Sequence, residues 1–357
     1  MKERMSNFEL LRIICMLGII SLHFVSQGEF YRTDNLALCV MLHIISSFGR
    51  MACSVFIMIS AYFNVDKRCS FKRIFMIWLA AFMYTVSITL VSKFIFHLPV
   101  EQEDFINAFF PINNAPLWFV SVYLLLLLLS PVLNVAINNC KKGMLEVFLL
   151  VFGIMLFGKP TLFAEANFLS EDLIAFIYIW IFIGYMKRYP IKLLEKKIFT
   201  GPVSVLLYLF VSTALGVLIY IYGFDYTKKG ITLLTCYKNI FYTLPNFLIA
   251  LLIFCFFKNL NVRPNKWINR IGKTTFGIYI IHQTPVFWKC IWIDILFRNY
   301  INESEQYLSA IIFAIISTFI VCMIIEDIRL HTIDRIIGKS RIVNKISNIV
   351  DGICEKC

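Results

Sequence analysis

Charged residues are scarce in this sequence. Asp, Glu, Lys and Arg make up 16% of the 357 residues and hydrophobic residues 59%, and the mean hydropathy is +0.77. Soluble domains carry about 25% charged residues. The composition therefore excludes a soluble domain as the main part of the chain and predicts an all-α bundle of transmembrane helices.

Cysteine pairs, metal-ligand clusters and internal repeats are also missing. The 11 cysteines show no paired pattern in the predicted outer loops, so we predict no disulfide framework. Cys354 and Cys357 form a lone CxxC with no nearby histidine, so we predict no metal site. The first apolar run lacks a small-residue cleavage site, and we interpret it as a retained membrane helix.

The apolar runs predict about ten membrane spans, because one span needs about 20 apolar residues. The two at 144–158 and 173–187 are short. The ten segments are 8–27, 37–62, 73–96, 117–138, 144–158, 173–187, 202–222, 239–257, 275–297 and 306–325.

Basic residues exceed acidic ones by 34 to 22, and their positions predict the orientation. If the N-terminus is inside, 24 Lys and Arg lie in inner segments and seven in outer loops. This excess predicts ten spans with both termini cytoplasmic, and it explains the net charge without a nucleic-acid partner. Of the three remaining basic residues, Lys93 is near an outer end and can snorkel, whereas Arg12 and Arg50 lie deeper.

The first span carries Arg12 and His23 on one helical face. Eleven positions are about three turns, which places them about 16 Å apart along the axis. A cation inside a bilayer costs about 2.5 kcal/mol or more, so we predict that this face contacts protein or water. On its own, a histidine such as His23 is more often a hydrogen-bonded core residue.

Two other spans carry polar residues at helical spacing. The second span has His43, Ser47, Arg50 and Ser54, and the ninth has Thr275, Tyr279 and His282.

The fourth span begins at Trp118, where an aromatic residue can simply anchor the helix at the membrane interface. Further along, Pro131 leaves a backbone carbonyl without its helical hydrogen bond, and the side chain of Ser130 or Asn134 can donate to that carbonyl.

Four motifs in this order resemble the acyltransferase-3 family of integral membrane acyltransferases. The resemblance extends over essentially the whole length, but the second motif ends in Ser60, Ala61 and Tyr62 where the family has Ser-Gly-Phe. The motifs are Arg12 with His23, FGRMACSVFIMIS at 48–60, PLWFV at 116–120 and TTFGIYIIH at 274–282.

The resemblance implies a membrane O-acyltransferase that acts on bacterial surface polysaccharides. The donor would be cytoplasmic acyl-CoA, most simply acetyl-CoA, and the acceptor a hydroxyl of a cell-surface or lipid-linked glycan. His23 would be the general base. Arg12 would hold a phosphate of the donor. The enzyme would lie in the bacterial cytoplasmic membrane.

Arg50, Trp118, Tyr279 and His282 are further candidates for substrate or donor binding. Each has an alternative: an ion pair with Glu9 for Arg50, an interfacial anchor for Trp118, and packing hydrogen bonds between helices for Tyr279 and His282.

A transporter or flippase for an acyl donor or glycan precursor is the main alternative function, because polar lines in helix bundles also form transport paths. A structural membrane component is a third. In domain terms, we predict a transmembrane domain at 1–326 and a basic amphipathic tail at 327–357 that lies on anionic membrane lipids.

Overall fold

Every regular element described in this chain is helical. The computed structural model describes residues 4–28, 30, 33–67, 70–113, 117–163, 165–222, 242–284, 286–287 and 307–354, and these contain no strand. The helices are α1 (Ser6–Gln27), α2 (Leu36–Asn64), α3 (Phe71–Phe94), α4 (Gln102–Phe109), α5 (Trp118–Asn139), α6 (Lys142–Phe163), α7 (Asp172–Arg188), α8 (Lys197–Tyr222), α9 (Leu244–Lys258), α10 (Lys266–Gln283), α11 (Tyr307–His331), α12 (Ile333–Gly338) and α13 (Arg341–Cys354).

The protein is a multi-pass membrane protein. Seven of these helices are long and apolar enough to cross a bilayer: α1, α2, α3, α5, α6, α8 and α11. Three more predicted spans overlap α7, α9 and α10, of which α9 is a shorter apolar helix. The predicted segment 275–297 starts nine residues after α10 begins, and its part beyond 287 lies outside the described residues. The total of ten spans and the cytoplasmic termini stay predictions.

The chain forms two compact units. The first comprises Met1–Lys67 and Val132–Asn265, and the second comprises Arg68–Pro131 and Lys266–Cys357. The first unit thus holds α1, α2, α6 to α9 and the last two turns of α5. The second holds α3, α4, the beginning of α5 and α10 to α13.

Helix α1 is the most enclosed of the seven spanning helices. Within its most apolar window 67% of the residues are buried, against 22 to 44% in the other six. Its first turn is tied to the first unit by two hydrogen bonds: Ser6 Oγ accepts from the Asn265 amide at 2.8 Å, and Asn7 Nδ2 donates to the Phe257 carbonyl at 2.9 Å. A helix surrounded by protein can carry polar residues that lipid would reject.

A buried asparagine near the end of α5 joins three segments of the first unit. Asn134 Nδ2 donates to the carbonyls of Asn64 (3.1 Å) and Lys67 (3.3 Å), while its Oδ1 accepts from Trp180 Nε1 at 2.9 Å. The Trp180 side chain is fully buried. The amide group therefore satisfies one donor and two acceptors in the interior.

Replacing Asn134 with alanine should lower the melting temperature of the purified protein. The buried indole N–H of Trp180 would lose its acceptor, and such a loss costs about 1–3 kcal/mol. Asn138→Ala is the matched control, because Asn138 is exposed on the same helix. Equal melting temperatures for the two variants would show that the Asn134 hydrogen bonds add no stability.

The prediction for Pro131 is confirmed. Pro131 lies inside α5 and cannot donate to the carbonyl of Leu127, four residues earlier. Ser130 Oγ donates to that carbonyl instead, at 2.8 Å. The hydroxyl thus satisfies the acceptor that proline leaves open.

The C-terminal helices pack against the start of α3 in the second unit. Asp351 Oδ1 accepts from the backbone N–H of Phe71 at 2.9 Å, and Lys72 Nζ donates to Asn344 Oδ1 at 2.7 Å. Asp351 thereby caps the first turn of α3. Helix α11 continues to His331, so the predicted domain limit between 326 and 327 falls within a helix.

Candidate active site

Helices α1 and α2 approach each other closely at a pair of glycines. A Cβ on Gly49 would lie 2.5 Å from both the Gly18 carbonyl oxygen and Leu22 Cβ, and a Cβ on Gly18 would lie 2.5 Å from Phe48 Cδ1. Only hydrogen fits at these two positions. The glycines therefore set the depth at which the two helices cross.

This crossing places three predicted site residues in one short segment of the first unit. Arg12 lies six residues before Gly18 and His23 five after it, which is about 9 Å and 7.5 Å along α1. Arg50 directly follows Gly49 on α2. Its Cα is therefore near the depth of Gly18, between those of Arg12 and His23.

Two arginines approach one buried carboxylate at the beginning of α1. Glu9 Oε1 lies 2.9 Å from Arg4 Nη1 and 3.7 Å from Arg12 Nη1, and the Glu9 side chain is only 7% exposed. Two guanidinium groups thus share one carboxylate. The pairing of Arg50 with Glu9 stays an alternative interpretation.

Exposure distinguishes His23 from His43 and His282, the histidines of the predicted second and ninth spans. The side chain of His43 is 3% exposed and that of His282 is 0% exposed, whereas His23 is half-buried. The Nδ1 atoms of His43 and His282 lie 2.9 and 2.7 Å from the carbonyls of Cys39 and Ile278. Because a carbonyl can only accept, these nitrogens carry the proton. His23 is the most exposed of the three.

Arg50 belongs to a cluster that the sequence did not reveal. Asp172, in the first turn of α7, accepts a hydrogen bond from the Tyr242 hydroxyl at 2.8 Å. Arg50 interacts electrostatically with both groups. No helical spacing links the three residues, because they lie on separate segments of the first unit. Asp172 and Tyr242 thus add a carboxylate and a phenol to the surroundings of a predicted site residue.

The second unit contains a continuous row of aromatic rings. Tyr123 stacks on Phe119 with centroids 6.0 Å apart, Phe119 meets the edge of Tyr279 at 5.6 Å, and Tyr279 meets His282 at 5.9 Å. Arg73 Nη2 donates to the Tyr123 hydroxyl at 2.6 Å. The row thus connects a cation at the start of α3 to two predicted site residues on α10.

Trp118 lies at the first position of α5, next to this row. Its ring contacts that of Phe119 at 5.8 Å in an edge-on arrangement, and its side chain is half-buried. Pro116, which begins the predicted PLWFV motif, lies outside the described residues. The position of Trp118 is compatible with a substrate contact and with an interfacial anchor.

The altered second motif has a packing explanation. Tyr62, where the family has Phe, packs its ring against Phe8 at 5.3 Å and Phe254 at 5.9 Å. Lys187 Nζ lies 5.1 Å from the centre of the Tyr62 ring and donates a hydrogen bond to the backbone carbonyl of Tyr62 at 2.7 Å. Ala61, where the family has Gly, is fully buried. The substituted residues are therefore part of the packed first unit.

An apolar groove of about 390 Å³ lies between α3, α5 and the Pro111–Asn113 turn. It contains no titratable side chain, so it cannot supply an acid or a base. Its walls are Phe71, Ile74, Phe75, Trp78, Ile112, Ser121, Leu124, Leu125 and Leu128. Within the described part of the chain, no three His, Cys, Asp or Glu residues are grouped as metal ligands.

The fold defines a multi-pass helical membrane protein whose most enclosed span, α1, carries Arg12 and His23. Residues 5–327 match the model of the acyltransferase-3 family, described as an acyltransferase domain. The chain therefore belongs to that family. No curated protein and no solved structure matches the chain significantly. The protein is therefore an acyltransferase-family membrane protein.

Proposed function

We propose that the protein is an O-acyltransferase of the bacterial cytoplasmic membrane. It would move an acyl group, acetyl in the simplest case, from cytoplasmic acyl-CoA to a hydroxyl of a cell-surface or lipid-linked glycan. One observation carries the proposal: a half-buried histidine, His23, lies on the same helix as a half-buried arginine, Arg12. Acyl transfer from a thioester needs a base and an anion-binding group, and α1 offers both.

His23 is the base in this proposal. Its imidazole takes the proton from the acceptor hydroxyl while the oxygen attacks the thioester carbonyl, and a tetrahedral oxyanion forms. The new carbon–oxygen bond forms in that attack. Collapse of the intermediate restores the carbonyl, breaks the carbon–sulfur bond and releases the CoA thiolate, which takes the proton back from the imidazolium. Imidazole suits this cycle because its ordinary pKa is close to neutral pH.

Arg12 forms the anion-binding end. Its guanidinium lies 3.7 Å from Glu9, the carboxylate that Arg4 also contacts, and a guanidinium binds phosphate through two parallel hydrogen bonds. His23 lies about 16 Å further along the helix. The extended arm of the donor would cover this distance, so the nucleotide stays on the cytoplasmic side.

The remaining candidates have supporting roles. Arg50, with Asp172 and Tyr242, would bind the acceptor or steady the oxyanion. Trp118, Tyr279 and His282 would bind or orient substrate along the aromatic row.

Arg12→Gln should raise the KM for acyl-CoA at least tenfold and change kcat much less. A hydrogen bond to a charged group contributes about 1.5–3 kcal/mol, and its loss mainly weakens donor binding. The measurement is acyl transfer in purified membranes at several acyl-CoA concentrations.

Arg4→Gln is the matched control, because Arg4 pairs with the same carboxylate but its side chain is 42% exposed. We expect its KM to stay within about twofold of the wild type, the range for a surface charge. An unchanged KM in Arg12→Gln would remove the phosphate-binding role from Arg12.

Mass spectrometry of the surface glycan tests the function as a whole. A deletion strain should lack one O-acyl group, and a plasmid copy of the gene should restore it. If the deletion strain instead changes the amount of surface glycan, and the glycan that it does carry is fully acylated, the protein is a transporter and the proposal fails.

A further inference from the structure

A buried ion pair near the end of α11 lies apart from the residues discussed so far. Glu326 is 2% and Arg329 8% exposed. Arg329 Nε donates to Glu326 Oε2 at 2.7 Å, and Arg329 Nη2 donates to Oε1 at 2.8 Å. The two side chains therefore meet in the planar, bidentate arrangement that fixes both of them.

Further contacts join this ion pair to two other helices of the second unit. The Tyr84 hydroxyl of α3 donates to Glu326 Oε2 at 2.7 Å, and the Arg329 guanidinium lies 5.6 Å from the centre of the Tyr84 ring. Arg329 Nη1 donates to Asp334 of α12 at 2.5 Å. Both carboxylate oxygens of Glu326 thus accept hydrogen bonds.

Gly277 of α10 packs directly on this carboxylate. A Cβ at Gly277 would lie 2.0 Å from Glu326 Cδ, 2.3 Å from Oε2 and 2.5 Å from Cγ. The carboxylate cannot retreat, because Arg329 and Tyr84 hold it. The glycine of the TTFGIYIIH motif is therefore the point at which α10 rests on α11.

The opposite side of α10 carries the predicted site residues. At 100° per residue, Tyr279 and His282 lie about 200° and 140° around the helix from Gly277. The Tyr279 ring contacts Phe119 of α5. Helix α10 is thus held between a fixed carboxylate on one side and the aromatic row on the other.

We propose that Glu326 is a positioning residue that sets the distance between α10 and α11, and with it the location of Tyr279 and His282. The proposal rests on the acyltransferase function proposed above. The hydrogen-bonded ion pair acts as a spacer of fixed length, and Gly277 is the surface on which it rests.

Gly277→Ala should lower kcat for acyl transfer about 10- to 100-fold while the KM for acyl-CoA stays within about twofold. The added methyl group pushes α10 away from α11, and a displacement of about 1 Å at an active site can cost a factor of 10². Glu326→Asp removes one methylene and makes room for that methyl group. The double variant Gly277→Ala/Glu326→Asp should therefore regain at least about tenfold in kcat over Gly277→Ala alone.

Gly158→Ala is the matched control, since nothing lies within 4 Å of a Cβ at Gly158 in α6. Its kcat should equal that of the wild type. The melting temperatures of the wild type, Gly277→Ala, Glu326→Asp and the double variant should show the same non-additivity as their kcat values, whatever reaction the protein catalyses. An inactive wild type with non-additive melting temperatures would refute only the acyltransferase function. If the losses of the two single variants simply add up in the double variant, in kcat and in melting temperature alike, the positioning role of Glu326 is refuted.

Discussion

His23→Ala should abolish O-acylation of the surface glycan in cells while the protein still folds and inserts. General base catalysis contributes about 10²- to 10⁴-fold to a rate, so the acyl group should fall below about 1% of its wild-type level. The Ala variant removes only a half-buried side chain, and its effect on folding should be small. The measurement is mass spectrometry of the glycan, with the protein quantified in the same membranes.

Ile14→Ala is the control on the same helix. Ile14 is 37% exposed and lies off the face that carries Arg12 and His23. This variant should keep full acylation. Full acylation by His23→Ala as well would show that His23 is not the base.

Gly49→Val should have the largest effect on folding. The valine side chain would meet the backbone oxygen of Gly18, which cannot rotate away, so α1 and α2 must separate. Overpacking costs about 1–3 kcal/mol or more, which corresponds to about 1–4 °C or more in melting temperature for a chain of 357 residues. Loss of the helix crossing should also remove acyl transfer, because Arg12, Arg50 and His23 are placed by it.

Gly158→Val provides the comparison, because its Cβ points into open space. It introduces the same residue into a membrane helix but should leave the melting temperature within about 1 °C, as surface substitutions do. Similar melting temperatures for both valine variants would mean that the close approach of α1 and α2 does not support the fold.

Features that depend on one helix could be predicted from the sequence. Arg12 and His23 share a face because helical periodicity is local. The Ser130 hydroxyl donates to the Leu127 carbonyl because Pro131, four residues after Leu127, has no N–H to donate to it. Seven of the predicted apolar spans coincide with helices that are long and apolar enough to cross a bilayer, because the bilayer imposes their length and polarity.

Features that depend on contacts between distant segments could not be predicted. Nothing in the spacing connects Asp172 with Tyr242, which meet through their side chains. Glu326 and Arg329 are three residues apart, which hints at an ion pair. Yet their role depends on Tyr84 and Gly277, and only the fold brings those two residues to them.

The central claim is that cytoplasmic acyl-CoA supplies the group that reaches the glycan through His23. Inside-out membrane vesicles expose the cytoplasmic side, so isotopically labelled acetyl-CoA can be added there and the glycan analysed by mass spectrometry. We predict that wild-type vesicles place the label on the glycan and that His23→Ala vesicles do not. Equal labelling in both, or an unlabelled glycan that is still acylated in the wild type, would contradict the account.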